Sequence, residues 1–371
     1  MIRVKKQKKI FKAVMVTILS LIVCGILALG GLMLYGKYQM SKIPDLTFYE
    51  CLQYTTKNDP NAMITVGYIK DGEVTCKVFG ENGKELSNEE AHIYEIGSIT
   101  KTFTAALINK AINEGKVDID STIDTYLNLP NGNEYPTIKE LLTHTSGYKG
   151  YYFETPMISN FFTGRNDFFG VTKEMVLKKA GSLNMNKETY GFCYSNYGYA
   201  VLGLVLEEVY GQNYTALVNA YCQNELGLSN TKVSDKNGDL GNYWDWEAND
   251  AYLSAGGITS NISDMLSYAQ MQLDSNSDFS ECRNSLKTIN ASSEDYKTMG
   301  INMDEIGMSW IIDKENNIIW HNGGTGNYNS YIGFNLEANA AVVVLSNLAP
   351  NYRIPATVLG VKLLSELESQ S

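Results

Sequence analysis

Three histidines in 371 residues leave no paired cluster of His, Cys and acidic side chains at ligand spacing, so no metal site is expected. A glycine-rich phosphate loop is missing, and so is a basic patch interleaved with aromatics. Nucleotide and nucleic-acid partners therefore have no support, and no cofactor is expected. Cysteine is sparse: Cys51, Cys76, Cys193, Cys222 and Cys282 follow residue 36, an odd number that argues against a full disulfide framework. Cys193, beside Tyr194, reads as a small packing residue. Arginine is scarce, at four against 26 lysines, a bias that together with many Asn and Tyr suits an AT-rich bacterial genome. No internal repeat is evident.

Charge is also missing from one long stretch. Residues 13–35 carry none, and 23 helical residues span about 34 Å against a bilayer core of about 30 Å. Arg3, Lys5, Lys6, Lys8, Lys9 and Lys12 precede it, which by the positive-inside rule keeps residues 1–12 cytoplasmic. The expectation is a single-pass anchor over 13–35, a tether over 36–45 and an extracytoplasmic domain over 46–371. A cleaved signal peptide is the other reading, with Ala28-Leu29-Gly30 as a cleavage site, but its apolar region would be shorter. Residues 1–36 hold six of the 30 basic and none of the 41 acidic residues, leaving a net charge of −17 on the rest. Such a domain repels phosphodiester polymers and anionic headgroups.

The richest stretch is Glu95-Ile96-Gly97-Ser98-Ile99-Thr100-Lys101. A serine at a Gly-preceded helix start and a lysine three residues on share one helical face. A serine hydroxyl needs a neighbour to take its proton, and a desolvated lysine can be that neighbour. The helix N-terminus adds N–H groups suited to an oxyanion. The competing reading is that Ser98 or Thr100 merely caps the helix. Two other pairs share the spacing. Ser229 and Lys232 fall in a turn or strand after a helix ending at Gly227, and Ser146 with Lys149 lies in a turn.

Three more segments follow in order: Leu141-Leu142-Thr143-His144-Thr145-Ser146-Gly147, Tyr194-Ser195-Asn196 and His321-Asn322-Gly323-Gly324. With Ser98-x-x-Lys101 they resemble the serine β-lactamase-like hydrolases: class C β-lactamases, D-alanyl-D-alanine peptidases, D-aminopeptidases and related esterases. The segments 255–260, 307–310 and 342–347 look similar too, so the resemblance covers about residues 46 to 371. It implies Ser98 as the acylated nucleophile, Lys101 as a partner in its deprotonation, and Tyr194 as the partner acid or base. Asn196 would bond Lys101 and the substrate amide, and the N–H groups of Ser98 and Gly324 would form the oxyanion hole. As a phenolate, Tyr194 would need a cation such as Lys101. Ser195 or Asn196 also reads as the cap of the apolar run 199–206.

Penicillin-recognising members usually carry Lys-Thr-Gly where this chain has His321-Asn322-Gly323. The cation becomes conditional on pH and the hydroxyl is gone. The resemblance thus leans toward esterase and aminopeptidase branches, with a small-molecule, peptide or ester substrate of the cell envelope. Two alternatives stay open, a D-alanyl esterase of wall polymers and a penicillin-sensing or wall-binding protein that acylates without turnover. Among the other histidines, His144 reads as holding a turn and His92 as surface.

The fold expected is α/β (α+β). Strands near 63–69 and 74–79 would join strands near 308–312, 317–321, 329–334 and 340–345 in one antiparallel sheet. Helices 98–114 and 353–368 would flank it, with a mostly helical subdomain inserted. Residues 273–297 read as an exposed loop. The aromatic stretch 148–169 reads as core of the insertion, with a cleft wall or membrane contact as the other readings.

Overall fold

The computed structural model describes residues 41–87, 92–185, 189–275 and 278–369, together with 15, 17–26, 28–31, 36 and 38. The chain divides into two compact units, Met1–Leu46 and Thr47–Ser371. In the first unit, the basic stretch 1–12 lies outside the described residues, as do 13, 14, 16, 27 and 32–35 of the apolar run. Its described parts, 17–26 and 28–31, are helical. Among the described residues no helix is long and apolar enough to cross a membrane. Part of the expected tether is ordered as a 3-10 turn, Ile43–Asp45.

The second unit is built on a nine-stranded sheet in which every neighbouring pair is antiparallel. In chain order its strands are β1 (Ile64–Lys70), β2 (Glu73–Phe79), β3 (Glu85–Leu86), β7 (Lys287–Thr288), β8 (Glu305–Ile306), β9 (Ile311–Asp313), β10 (Ile318–Gly324), β11 (Asn329–Asn335) and β12 (Ala340–Ser346). A second, three-stranded sheet joins β4 (Tyr94–Glu95), β5 (Lys232–Val233) and β6 (Ile258–Ser260) in the order β4-β6-β5. In the large sheet the order is β3-β2-β1-β12-β11-β10-β9-β8-β7, so the two ends of the chain meet at β1 and β12. The β1–β2 hairpin turns on Asp71 and Gly72, both at positive φ, the geometry whose twist matches that of the strands.

Register sorts the side chains of the central strands. Gly67, Val343, Ile332 and His321 fall on one face, and Val66, Val344, Tyr331 and Asn322 on the other. The helical body inserted between β4 and β7, which includes α1 (Thr100–Asn113), α2 (Asn196–Tyr210) and α3 (Ile262–Leu273), shares one core with Ile332 and Val343 of the first face, and α3 packs directly on the sheet. Gly67 lets the Ile262 and Leu266 side chains reach the sheet. On the second face packs α4 (Ala356–Ser369), where Gly360 seats on the Tyr331 ring.

The architecture expected from the sequence is present, with three corrections. The stretch read as a loop, 273–297, holds the helix Ser280–Arg283, strand β7 and the start of the helix Glu294–Thr298, because Phe279 and Cys282 bury themselves against the core. The aromatic stretch splits: Tyr148 is buried, whereas Tyr151, Phe153, Phe161 and Phe162 are exposed. With Met157, Ile158, Asp167 and Phe168 these four line an open apolar cup of about 400 Å³. Finally, Cys193 is exposed and unpaired, not packed. His92 lies at the surface as expected, partly covered, with Nδ1 against Asp239.

Candidate active site

Ser98 sits in the single 3-10 turn Gly97–Ile99 that runs straight into α1. Neither Ser98 nor Thr100 caps the helix: no side-chain cap is made, and the Thr100 hydroxyl accepts the Ile258 N–H. The Ser98 hydroxyl meets Lys101 instead, with Nζ at 3.0 Å from Oγ. Lys101 is fully buried and also donates to the Ala255 carbonyl at 2.6 Å. Among the described residues no carboxylate pairs with it. Burial without a counter-charge holds its pKa well below the ordinary lysine value. A neutral amine that gives one proton to Ala255 keeps a lone pair able to accept the Ser98 O–H.

The turn is pressed against the end of β10, and glycine makes the approach possible. Gly97 has φ +50°, and a Cβ there would strike the Gly324 backbone. A Cβ on Gly323 would strike the Ile96 carbonyl, which the Ser330 hydroxyl also reaches at 2.8 Å.

Tyr194 stands at the rim, 37% exposed, with Lys101 Nζ 4.9 Å from its ring centre. Enclosure of its hydroxyl pushes the pKa up, offset only in part by a hydrogen bond with Ser98. The shift favours the phenol, the acid of the two roles that the resemblance implies. The residue after it, Ser195, is the N-cap of α2: its Oγ accepts the Gly198 N–H at 2.9 Å and donates to the Lys149 carbonyl at 2.7 Å. That cap fixes where the helix starts, and so where Tyr194 stands.

His321 is buried at 2% exposure, on the face of β10 that looks toward Ser98. Burial first, and the Lys101 charge second, lower its pKa to about 3, and its Nδ1 donates to the Asn322 carbonyl at 2.6 Å. It is therefore neutral at every physiological pH, with Nε2 left as an acceptor. Asn322, on the opposite face, donates to Thr357 of α4 at 2.9 Å.

Ser98, Tyr194, His321, Gly323 and Gly324 converge on one cleft of about 300 Å³, walled further by Phe192, Tyr296, Met303, Ile311, Trp320, Asn322 and Pro350. Among the described residues, no lysine, arginine or carboxylate lines it. Asn196, at the first position of α2, is half-buried, lies outside that lining and is not a hydrogen-bond partner of Lys101. The Ala255 carbonyl is the second partner of Lys101 beside Ser98. A backbone acceptor carries no side-chain signature, although its Ala-Gly-Gly setting stood out in the sequence. Ser146 and Ser229 lie in turns away from this cleft, as their settings implied.

Among curated relatives, the protein named flp of Staphylococcus aureus (strain MW2) is 26% identical over 341 residues, covering 84% of this chain and 63% of that one. The chain thus spans a little under two thirds of the length of the curated relatives it matches. The fold is similar to that of a β-lactamase/D-alanine carboxypeptidase from Yersinia pestis, with TM-score 0.66 and 20% identity over 89% of this chain and 99% of that one. It is also similar to a D-amino acid amidase from Ochrobactrum anthropi SV3, with TM-score 0.64 and 18% identity over 86% and 99% of the two chains. At such identities the likeness establishes the fold. The family model described as Beta-lactamase matches residues 62–360, a span that holds the whole cleft, and the chain belongs to that family.

Proposed function

We propose that this chain is a serine hydrolase working through an acyl-enzyme on an amide or ester, with a D-amino-acid or cell-wall-related substrate. The observation that carries it is the Lys101 amine 3.0 Å from the Ser98 hydroxyl, buried and without a counter-charge. As Ser98 Oγ bonds to the substrate carbonyl carbon, its proton passes to Lys101 Nζ. The carbonyl electrons move onto oxygen, facing the N–H groups of Ser98 and Gly324. The tetrahedral species then breaks its bond to the leaving group, which takes the Tyr194 phenolic proton while Lys101 returns one to Tyr194. Water repeats the sequence on the acyl-enzyme.

A neutral His321 in a cleft whose described lining carries no fixed charge favours an uncharged group there, hence esters or blocked amides over substrates ending in a free carboxylate. The D-amino acid amidase relative fits that preference, and so does removal of D-alanyl esters from wall polymers. A fluorophosphonate probe should label Ser98. Ser98→Ala should abolish labelling while Ser146→Ala and Ser229→Ala leave it intact, and labelling at another serine refutes the assignment.

The location we propose is the cell membrane, with the domain outside. The uncharged run 13–35 behind six basic residues supports it. Intact protein should stay in the membrane fraction with its C-terminus open to external protease, and a soluble form starting near Gly31 would show cleavage instead.

A further inference from the structure

Glu95 lies three residues before Ser98, at 3% exposure, and among the described residues it forms no ion pair. A buried carboxylate without a cation is costly unless it is well hydrogen-bonded. Two neutral donors meet it: the Trp244 N–H at 2.6 Å on Oε1 and the Thr325 hydroxyl at 2.6 Å on Oε2. Thr325, itself buried, is the next residue after Gly324. The Trp244 indole lies against Gly326, where a Cβ would come within 2.7 Å of Nε1. One carboxyl group thus joins the turn that carries Ser98, the end of the strand that carries Gly324, and a third segment covering both.

The placement matters because the two N–H groups of the proposed oxyanion hole belong to elements far apart in sequence. The Ser330 hydroxyl on the Ile96 carbonyl ties those elements on one side. Glu95 and Thr325 tie them on the other. We propose that Glu95 is a positioning residue that sets the separation of the Ser98 and Gly324 N–H groups through its hydrogen bond to Thr325. The inference rests on Ser98 being the nucleophile.

The bridge does not depend on charge. Burial raises the Glu95 pKa to about 7, so both forms occur near neutrality, but a hydroxyl can reverse its role. In the acid form the carbonyl oxygen keeps the Trp244 N–H and the O–H donates to Thr325 Oγ1. Glutamine would do the same with its amide. Among the described residues, Tyr243 and Tyr328 interact electrostatically with Glu95, phenols whose pKa values burial pushes up.

The test uses the full-length protein and the rate at which a β-lactone probe, opened by attack at its carbonyl, acylates Ser98. Glu95→Ala and Thr325→Val should each slow acylation about tenfold or more, less than the 10²–10³ expected for deleting an oxyanion donor outright. KM for an uncharged ester should stay within about twofold. Glu95→Gln should stay within about threefold of wild type, with an unchanged pH profile between 6 and 8. The double variant Glu95→Ala with Thr325→Val should be no slower than the worse single one, because both break one link. Wild-type acylation rates in Thr325→Val, Glu95→Gln as slow as Glu95→Ala, or multiplicative losses in the double variant would overturn the inference while leaving Ser98 as nucleophile. If wild type is not labelled at Ser98, the nucleophile assignment falls and takes the inference with it.

Discussion

His144 grips Tyr194 through both of its chain neighbours: its carbonyl accepts the Cys193 N–H at 2.8 Å, and its ring Nδ1 accepts the Ser195 N–H at 3.1 Å. The imidazole also lies 4.5 Å, centre to centre, from the phenol ring. Accepting at Nδ1 fixes the proton on Nε2, and burial keeps the ring neutral by holding its pKa well below the ordinary histidine value. The turn foreseen for His144 is thus the seat of the tyrosine.

His144→Ala should cost about 2–4 kcal/mol in urea unfolding, since it leaves a buried N–H unpaired and a cavity behind. Ester turnover should fall about tenfold. His144→Asn keeps an acceptor near the Nδ1 position and tolerates the +55° φ, so it should recover more than half of both losses. Equal damage from both substitutions would refute the role of the Nδ1 acceptor.

Lys101→Arg puts a permanent cation with no lone pair in place of the neutral amine, and should lower turnover by about 10² or more. Tyr194→Phe should do the same by removing the proton carried to the leaving group. Circular dichroism should find both variants folded, and near-normal rates in either would remove that residue from the mechanism.

Substrate choice turns on His321. Neutral at pH 7, it cannot clamp a free carboxylate, so benzylpenicillin and peptides ending in D-alanyl-D-alanine should be poor substrates. Blocked amides and esters should be preferred. His321→Lys with Asn322→Thr should raise kcat/KM for carboxylate-bearing substrates relative to esters. Efficient penicillin hydrolysis by wild type, flat between pH 6 and 8, would mean that the carboxylate is held elsewhere.

Acid should destabilise the fold in a way that specific variants can separate. Below about pH 6.5 the unfolded chain protonates His144 and His321 while the folded chain does not. Stability therefore falls with pH by about 1.4 kcal/mol per unit for each, for His321 down to about pH 3. Buried Lys101 adds the same sign wherever it stays unprotonated. Glu95, raised from 4.5 to about 7, acts the other way, its contribution being lost as pH rises through about 7. Between pH 5 and 6.5, Glu95→Gln should steepen the loss and His321→Gln should flatten it, each by about 1.4 kcal/mol per unit. Urea midpoints at three pH values would check both signs.

The sequence made Ser98 and Lys101 legible because a helix brings residues three apart onto one face, so spacing alone carries the contact. Tyr194 and His321 were placed by resemblance, since nothing local says that two segments more than a hundred residues apart share a cleft. Tyr296 and Met303, which wall that cleft, gave no signal because the two-residue strands β7 and β8 beside them are too short to display a period. The Glu95–Thr325 link stayed hidden for a similar reason: a glutamate in a motif looks the same whether it faces water or a buried hydroxyl. The long strands β1, β2, β10, β11 and β12 were read to within a few residues, their apolar runs being bounded by turns.

Strand β1 lies between β2 and β12, with Ile64 opposite Ser346. A nascent or threaded chain therefore holds the β1–β2 hairpin with one ladder open until residues 340–346 of β12 arrive. Such non-local pairing is slow to form, and an unpaired ladder is a template for pairing with other chains. Loss of β12 and α4 would leave that edge open for the life of the protein, so termination near residue 340 should yield aggregates and not a merely weakened protein.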